Sequence, residues 1–190
     1  MSNPYISRMK KYFPAYVYPN IAMCLKTHQG VGATILLCCA IDTLANYADA
    51  SSSVIGNKKR FKAFISSYFP KQYDPDMFYS FVRCGLVHSF NMENKYVVLC
   101  SKETWAQELH LSQPPGFNRV IINPYPLFRH THKALKQFID ALLLDKTMAK
   151  AFSKKYKSRP ITKQHIRVPK AWKKLHPTTS SKAHNRTVAT

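Results

Sequence analysis

Arg83 and His88, in the segment FVRCGLVHSF (81–90), are the residue types that phosphodiester chemistry needs. An imidazole takes and gives protons near neutral pH. A guanidinium holds two phosphate oxygens at once, a fit that a lysine ammonium lacks. In RNA the ribose 2′-hydroxyl is itself the nucleophile. It loses a proton and attacks the adjacent phosphodiester, and the five-coordinate phosphorus gains negative charge that the guanidinium stabilises. One Arg and one His are therefore a sufficient pair, and this chemistry calls for no metal ion and no cofactor. Two neighbours are supporting candidates. Cys84 stands four residues before His88, the spacing of one helix face, which suits a thiolate–imidazolium pair. No third group or oxyanion site accompanies it, so a packed thiol is the stronger reading. Asp42 interrupts an apolar run, and a buried carboxylate wants a partner. Arg83 is one candidate, either oriented by Asp42 or joined to it in a plain structural ion pair.

The helix that must position this pair is well marked. Asp74 is placed to cap it, Pro75 fits its first turn, and Phe78, Phe81, Val82, Gly85 and Leu86 form one apolar stripe. An α-helix, however, separates positions five apart by about 140° around its axis and by ~7.5 Å along it. With Phe78 at zero, Arg83 falls near +140° and His88 near −80°, on either side of the stripe. Three arrangements reunite them: a bend at Gly85, a helix end near His88, or a second chain that brings its own Arg or His across. The plain alternative is that His88 sits at the helix C-terminus, where a cation is favoured, and Arg83 is an ordinary surface residue.

The remaining elements read as mainly α. Residues 1–30 are aromatic and broken by prolines, which suggests an irregular lead-in or short helix. GVGATILLCCAIDTLANYADA (30–50) reads as a buried helix, and KKRFKAFISSYFP, closed by Pro70, as an amphipathic one. KYVVLC (95–100) and FNRVIIN (117–123) read as two strands, taken together as a β-hairpin near 95–122, with a short helical turn between them. PYPLFRHTHKALKQFIDALLLDK (124–146) is a second long amphipathic helix, and TMAKAFSKKYK extends it or forms another. The expected organisation is a helical domain over 1–157 followed by a basic, disordered tail over 158–190.

Net charge is +20, and all nine acids lie at or before Asp145. Residues 146–190 hold thirteen Lys and Arg and no acid. Such a balance suits a polyanionic partner, and RNA contacts are expected from Lys154, Lys155, Lys157, Arg159, Lys170, Lys173 and Lys174. Tyr156 and Trp172, interleaved with them, suit stacking on unpaired bases. A tail that merely confers solubility is the plainer reading. The five cysteines include no C-x-x-C pair, which argues for reduced thiols in a cytoplasmic protein. No signal-peptide pattern opens the chain, and its longest apolar run (33–41) is short of a membrane span. His130 and His132 in RHTH (129–132) are two apart with no carboxylate cluster, so no metal site is expected and a solvated helix start is preferred. No Gly-rich phosphate loop and no G-x-S-x-G is present, which sets aside ATP-dependent and serine-hydrolase chemistry.

RCGLVHSF resembles the Arg-x4-6-His signature of the HEPN superfamily, in particular the Arg-x4-His-x-Tyr segment of its HepT-like toxins. The resemblance implies a small helical bundle and a metal-independent endoribonuclease. It implies Arg83 and His88 as the catalytic pair, with two chains facing their motifs across one cleft. The settings it implies are toxin–antitoxin, phage defence or RNA processing, with an antitoxin or another protein as a further partner. This sequence departs from the family pattern at Cys84, where a polar Asn or Asp is common, and at Phe90, which replaces the Tyr. A non-catalytic nucleic-acid-binding or protein-interaction module on the same bundle is the alternative.

Overall fold

Four helix starts share one local device, an Asn or Asp side chain that accepts hydrogen bonds from the first free backbone N–H groups. Asn3 accepts from Tyr5 N (3.0 Å), Asp74 from Asp76 N and Met77 N (2.9 and 3.0 Å), Asn123 from Tyr125 N (3.0 Å) and Asp145 from Thr147 N and Met148 N (2.8 and 3.0 Å). Three of the four are followed by a proline, whose missing N–H costs nothing in a first turn.

The computed structural model describes residues 3–49, 56–158 and 160. In chain order these form α1 (Pro4–Tyr12), a π-helical turn π1 (Phe13–Val17), α2 (Tyr18–Lys26), α3 (Gly30–Ala48) and α4 (Asn57–Tyr68). A short α5 (Pro75–Met77) then runs directly into a π-helix, π2 (Phe78–Ser89). Strand β1 (Tyr96–Val98), α6 (Thr104–Glu108), β2 (Val120–Ile122), α7 (Pro124–Leu144) and α8 (Lys146–Ser158) follow. The fold is mainly α, as the apolar periodicities indicate. Of the two readings of the lead-in the helical one holds over Pro4–Lys26, where Ile6, Met9, Phe13, Tyr18, Ile21 and Leu25 bury one continuous stripe.

α3 runs through the middle and packs against α2, α4, α7, α8 and π2. It is the one described helix apolar and long enough to cross a membrane by composition. Its Leu37, Cys38, Ile41 and Leu44 are instead fully enclosed by neighbouring helices. An aromatic core fills the gaps: Phe13, Phe61, Phe64, Phe78, Phe138 and Phe152 are fully buried, each stabilising the fold by roughly 1.5–3 kcal/mol relative to exposure.

The two strands are not a hairpin. Tyr96 pairs with Val120, Val97 with Ile121 and Val98 with Ile122 in parallel register. A parallel pair needs a crossover, and residues 99–119 supply it through α6 and the turns around it. β2 is bonded on its other edge too: Leu111 N donates to Ile121 O (2.7 Å) and Ile121 N to Ser112 O (2.9 Å). The sheet docks on the start of α3. A Cβ on Gly30 would lie 2.6 Å from Cys100 Cβ and 2.8 Å from Val98 Cγ1, so only glycine permits that approach.

Candidate functional site

The helix carrying Arg83 and His88 is wound with hydrogen bonds from residue i to i+5, and this winding decides the geometry. On a π-helix the wider turn brings side chains five apart onto one face, where an α-helix would part them. Arg83 Nη1 and His88 Nε2 are 2.9 Å apart. No second chain is needed for this contact: the wider winding, in a helix that ends at Ser89 just past His88 as one of the expected arrangements had it, joins the pair within one chain. Because Arg83 Nη1 can only donate, His88 Nε2 accepts.

The guanidinium is held from its other edge. Arg83 Nε donates to Asp42 Oδ2 at 2.8 Å, and Nη2 stands 2.8 Å from the same oxygen in an ion pair. Asn57, at the start of α4, donates to Asp42 Oδ1 at 3.4 Å. The Tyr79 ring lies against the guanidinium, with Arg83 Cζ 5.5 Å from its centroid. Arg83 and Asp42 are mostly enclosed, with side-chain exposures of 12% and 19%, whereas His88 is exposed. Burial pulls the Arg83 pKa down, but the hydrogen bond and charge of Asp42 more than offset it, so the group lies above its ordinary value. The arrangement is a fixed cation whose free Nη1 corner points at an accessible imidazole.

Cys84 is not paired with His88. Its sulfur faces Arg83 Nη1 (3.8 Å) and the Tyr79 hydroxyl. Burial comes first in raising the Tyr79 pKa, and the hydrogen bond to Cys84 adds to it. Of the basic residues expected to contact RNA, Lys154 and Lys157 are exposed on α8. Lys155 is engaged, its ammonium bonded to Asp49 O (3.0 Å) and Oδ2 (3.2 Å) at the end of α3. Tyr156, expected to stack on bases, is buried against Tyr47 and Phe152. Arg159, Lys170, Trp172, Lys173 and Lys174 lie outside the described residues.

Tyr79 and Asn57 complete the site and were not singled out by sequence reading. Tyr79 sits four before Arg83, a spacing that could have signalled it; Asn57 comes from another helix and has no such signal. His130 is also not the solvated residue that RHTH suggested. Tyr73 Oη lies 2.7 Å from His110 Nε2 and 2.9 Å from His130 Nδ1. The Asn123 backbone N–H donates to His110 Nδ1 at 3.0 Å, so the proton of neutral His110 is on Nε2. The chain of donors therefore runs from Asn123 N–H to His110, from His110 Nε2–H to Tyr73, and from the Tyr73 hydroxyl to His130. Burial, then the charges of His130 and Arg129, hold the His110 pKa down at about 3. Burial likewise lowers that of His130, with Arg129 and Lys133 adding to it. Among the described residues no group of three or more His, Cys, Asp or Glu is placed to hold a metal ion.

No family model, no curated protein and no solved structure matches this chain.

Proposed function

We propose that this chain is a HEPN-type, metal-independent endoribonuclease of the cytoplasm, cleaving RNA by attack of the 2′-hydroxyl. The observation that carries the reading is the 2.9 Å approach of Arg83 Nη1 to His88 Nε2, on a guanidinium that Asp42 fixes from behind. A phosphate entering between the two replaces their mutual hydrogen bond. Nη1 then binds a non-bridging oxygen, and His88 Nε2, its lone pair released, takes the 2′-hydroxyl proton. The 2′-oxygen bonds to phosphorus, the bond to the 5′-oxygen breaks, and that oxygen receives a proton from the imidazolium. The products are a 2′,3′-cyclic phosphate and a 5′-hydroxyl. Homodimerisation, and a toxin–antitoxin or phage-defence setting with a protein partner, are what the family resemblance adds.

The reading is tested with labelled single-stranded RNA in EDTA. Wild type leaves 2′,3′-cyclic phosphate ends. His88→Ala lowers the rate by about 10²–10⁴ and Arg83→Ala by about 10²–10³. Cleavage that survives both substitutions overturns it. Binding without cleavage by wild type identifies a non-catalytic RNA-binding module instead.

A further inference from the structure

Phe90 is an aromatic ring held out in water at a cost. It is 75% exposed, whereas the core phenylalanines are fully buried. Its backbone is left-handed (φ 52°, ψ 24°), an outlying conformation for a bulky side chain. The strain is imposed from both sides. Behind it, the Gly85 carbonyl receives Phe90 N, Asn91 N (3.0 Å) and Ser89 Oγ (2.8 Å). The fold-back is so close that a Cβ on Gly85 would stand 2.1 Å from Asn91 O. Ahead of it, Met92 packs on the core and Lys95 N bonds to Met92 O (2.9 Å). The backbone at 90 is therefore pinned, and the pinning points an apolar ring outward two residues from His88.

We propose that Phe90 is a stacking platform for an unpaired nucleobase, holding single-stranded RNA beside the Arg83–His88 corner. Three properties favour a base over another protein surface. A single exposed ring offers one flat face and little area for a protein partner. It stands two residues after His88, which meets the Arg83 guanidinium at 2.9 Å, and both groups suit phosphate, which alternates with bases along a strand. The whole chain is strongly cationic, which draws polyanions regardless of sequence. Stacking needs no particular base, so contact here is sequence-tolerant and grows with base area. The inference rests on the ribonuclease reading only for the identity of the sugar.

The test uses fluorescein-labelled 12-nucleotide probes with 2′-O-methyl riboses, which cannot be cleaved, and fluorescence anisotropy with the full chain. Phe90→Ala is expected to weaken binding to oligo(A) by roughly 5- to 100-fold and to oligo(U) by less. Phe90→Trp and Phe90→Tyr are expected to bind like wild type, and Phe90→Leu like Phe90→Ala. A probe lacking bases is expected to bind wild type and Phe90→Ala equally. Equal oligo(A) affinity for wild type and Phe90→Ala overturns the proposal, as does Phe90→Leu binding as tightly as Phe90→Trp. A loss of affinity that merely follows dissociation of a dimer in sedimentation also overturns it, giving the ring to a protein interface. Cleavage of ordinary RNA is scored separately. Phe90-dependent binding without cleavage leaves the platform standing and removes the ribonuclease, and cleavage with Phe90-independent binding does the reverse.

Discussion

Arg83 presents one edge to Asp42 and the opposite corner to His88, and a residue with a single point charge cannot do both. Arg83→Lys keeps the charge and loses the fork. Its cleavage rate is expected to fall by about 100-fold or more, close to that of Arg83→Ala, with the helical circular dichroism unchanged. Asp42→Ala leaves a largely enclosed guanidinium without its partner, and urea unfolding is expected to show a loss of about 1–3 kcal/mol. Gly85→Ala drives a methyl against the Asn91 carbonyl, 2.1 Å from where the Cβ must stand. That residue sits on backbone, which gives less than a side-chain tip, so a loss of about 2–4 kcal/mol is expected, again by urea unfolding. At this scale the sequence displayed the residue types and concealed their contact. Asp42 stood out as a lone acid in an apolar run, and its partner was on the short list. The approach of Arg83 to His88 was not legible, because α-helical arithmetic places them on opposite sides and no local residue pattern announces a π-helix.

Tyr73, His110 and His130 join three elements that are far apart in sequence: the loop before α5, the crossover after α6, and α7. Both histidines are neutral in the folded protein and have pKa values below the ordinary 6.5, with His110 near 3. The unfolded chain takes up protons as pH falls through 6.5 while the folded chain does not. Stability is therefore complete above about pH 7 and is lost as pH falls, by about 1.4 kcal/mol per unit for each histidine that stays unprotonated. Urea midpoints between pH 7 and pH 5, above most carboxylate titration, should show this slope, and His110→Gln should flatten it. Tyr73→Phe strands two imidazole nitrogens and is expected to cost about 1–3 kcal/mol at pH 7. Existence of the elements was readable from apolar period and, for the helix of Arg83 and His88, from the cap at Asp74. The direction of β2 was not. Alternation identifies a strand, but only the path of residues 99–119, pinned by Asn123 to Ser101 O (2.8 Å) and Ala106 O (3.0 Å), makes the pair parallel.

Across the whole molecule the charge is separated more sharply than the elements are. Every acid lies at or before Asp145, and residues 159–190 alone carry eight Lys and Arg. The lysines of α8 divide by what they touch. Lys155 closes the end of α3 through Asp49, so Lys155→Ala is expected to lower the melting temperature and leave RNA affinity nearly unchanged. Lys154 and Lys157 are exposed, Lys157 with its ammonium 5.7 Å from the Tyr5 ring centroid, and replacing both is expected to weaken RNA binding with a thermal penalty smaller than that of Lys155→Ala. The C-terminal cations act on the same footing but in greater number. Each phosphate they neutralise releases counterion and adds about 0.7 to the slope of log affinity against log salt for a single strand. A chain ending at Ser158 is therefore expected to bind RNA with a slope shallower by up to about 5.6, measured by anisotropy between 50 and 300 mM salt. It keeps every described helix, since α8 and the buried Phe152 and Tyr156 precede the cut. The shortened chain should then cleave saturating RNA to the same 2′,3′-cyclic ends at an unchanged kcat, with KM raised most at high salt. An unchanged slope would assign RNA capture to the helical body, and a collapse of kcat would place part of the catalytic geometry beyond Ser158.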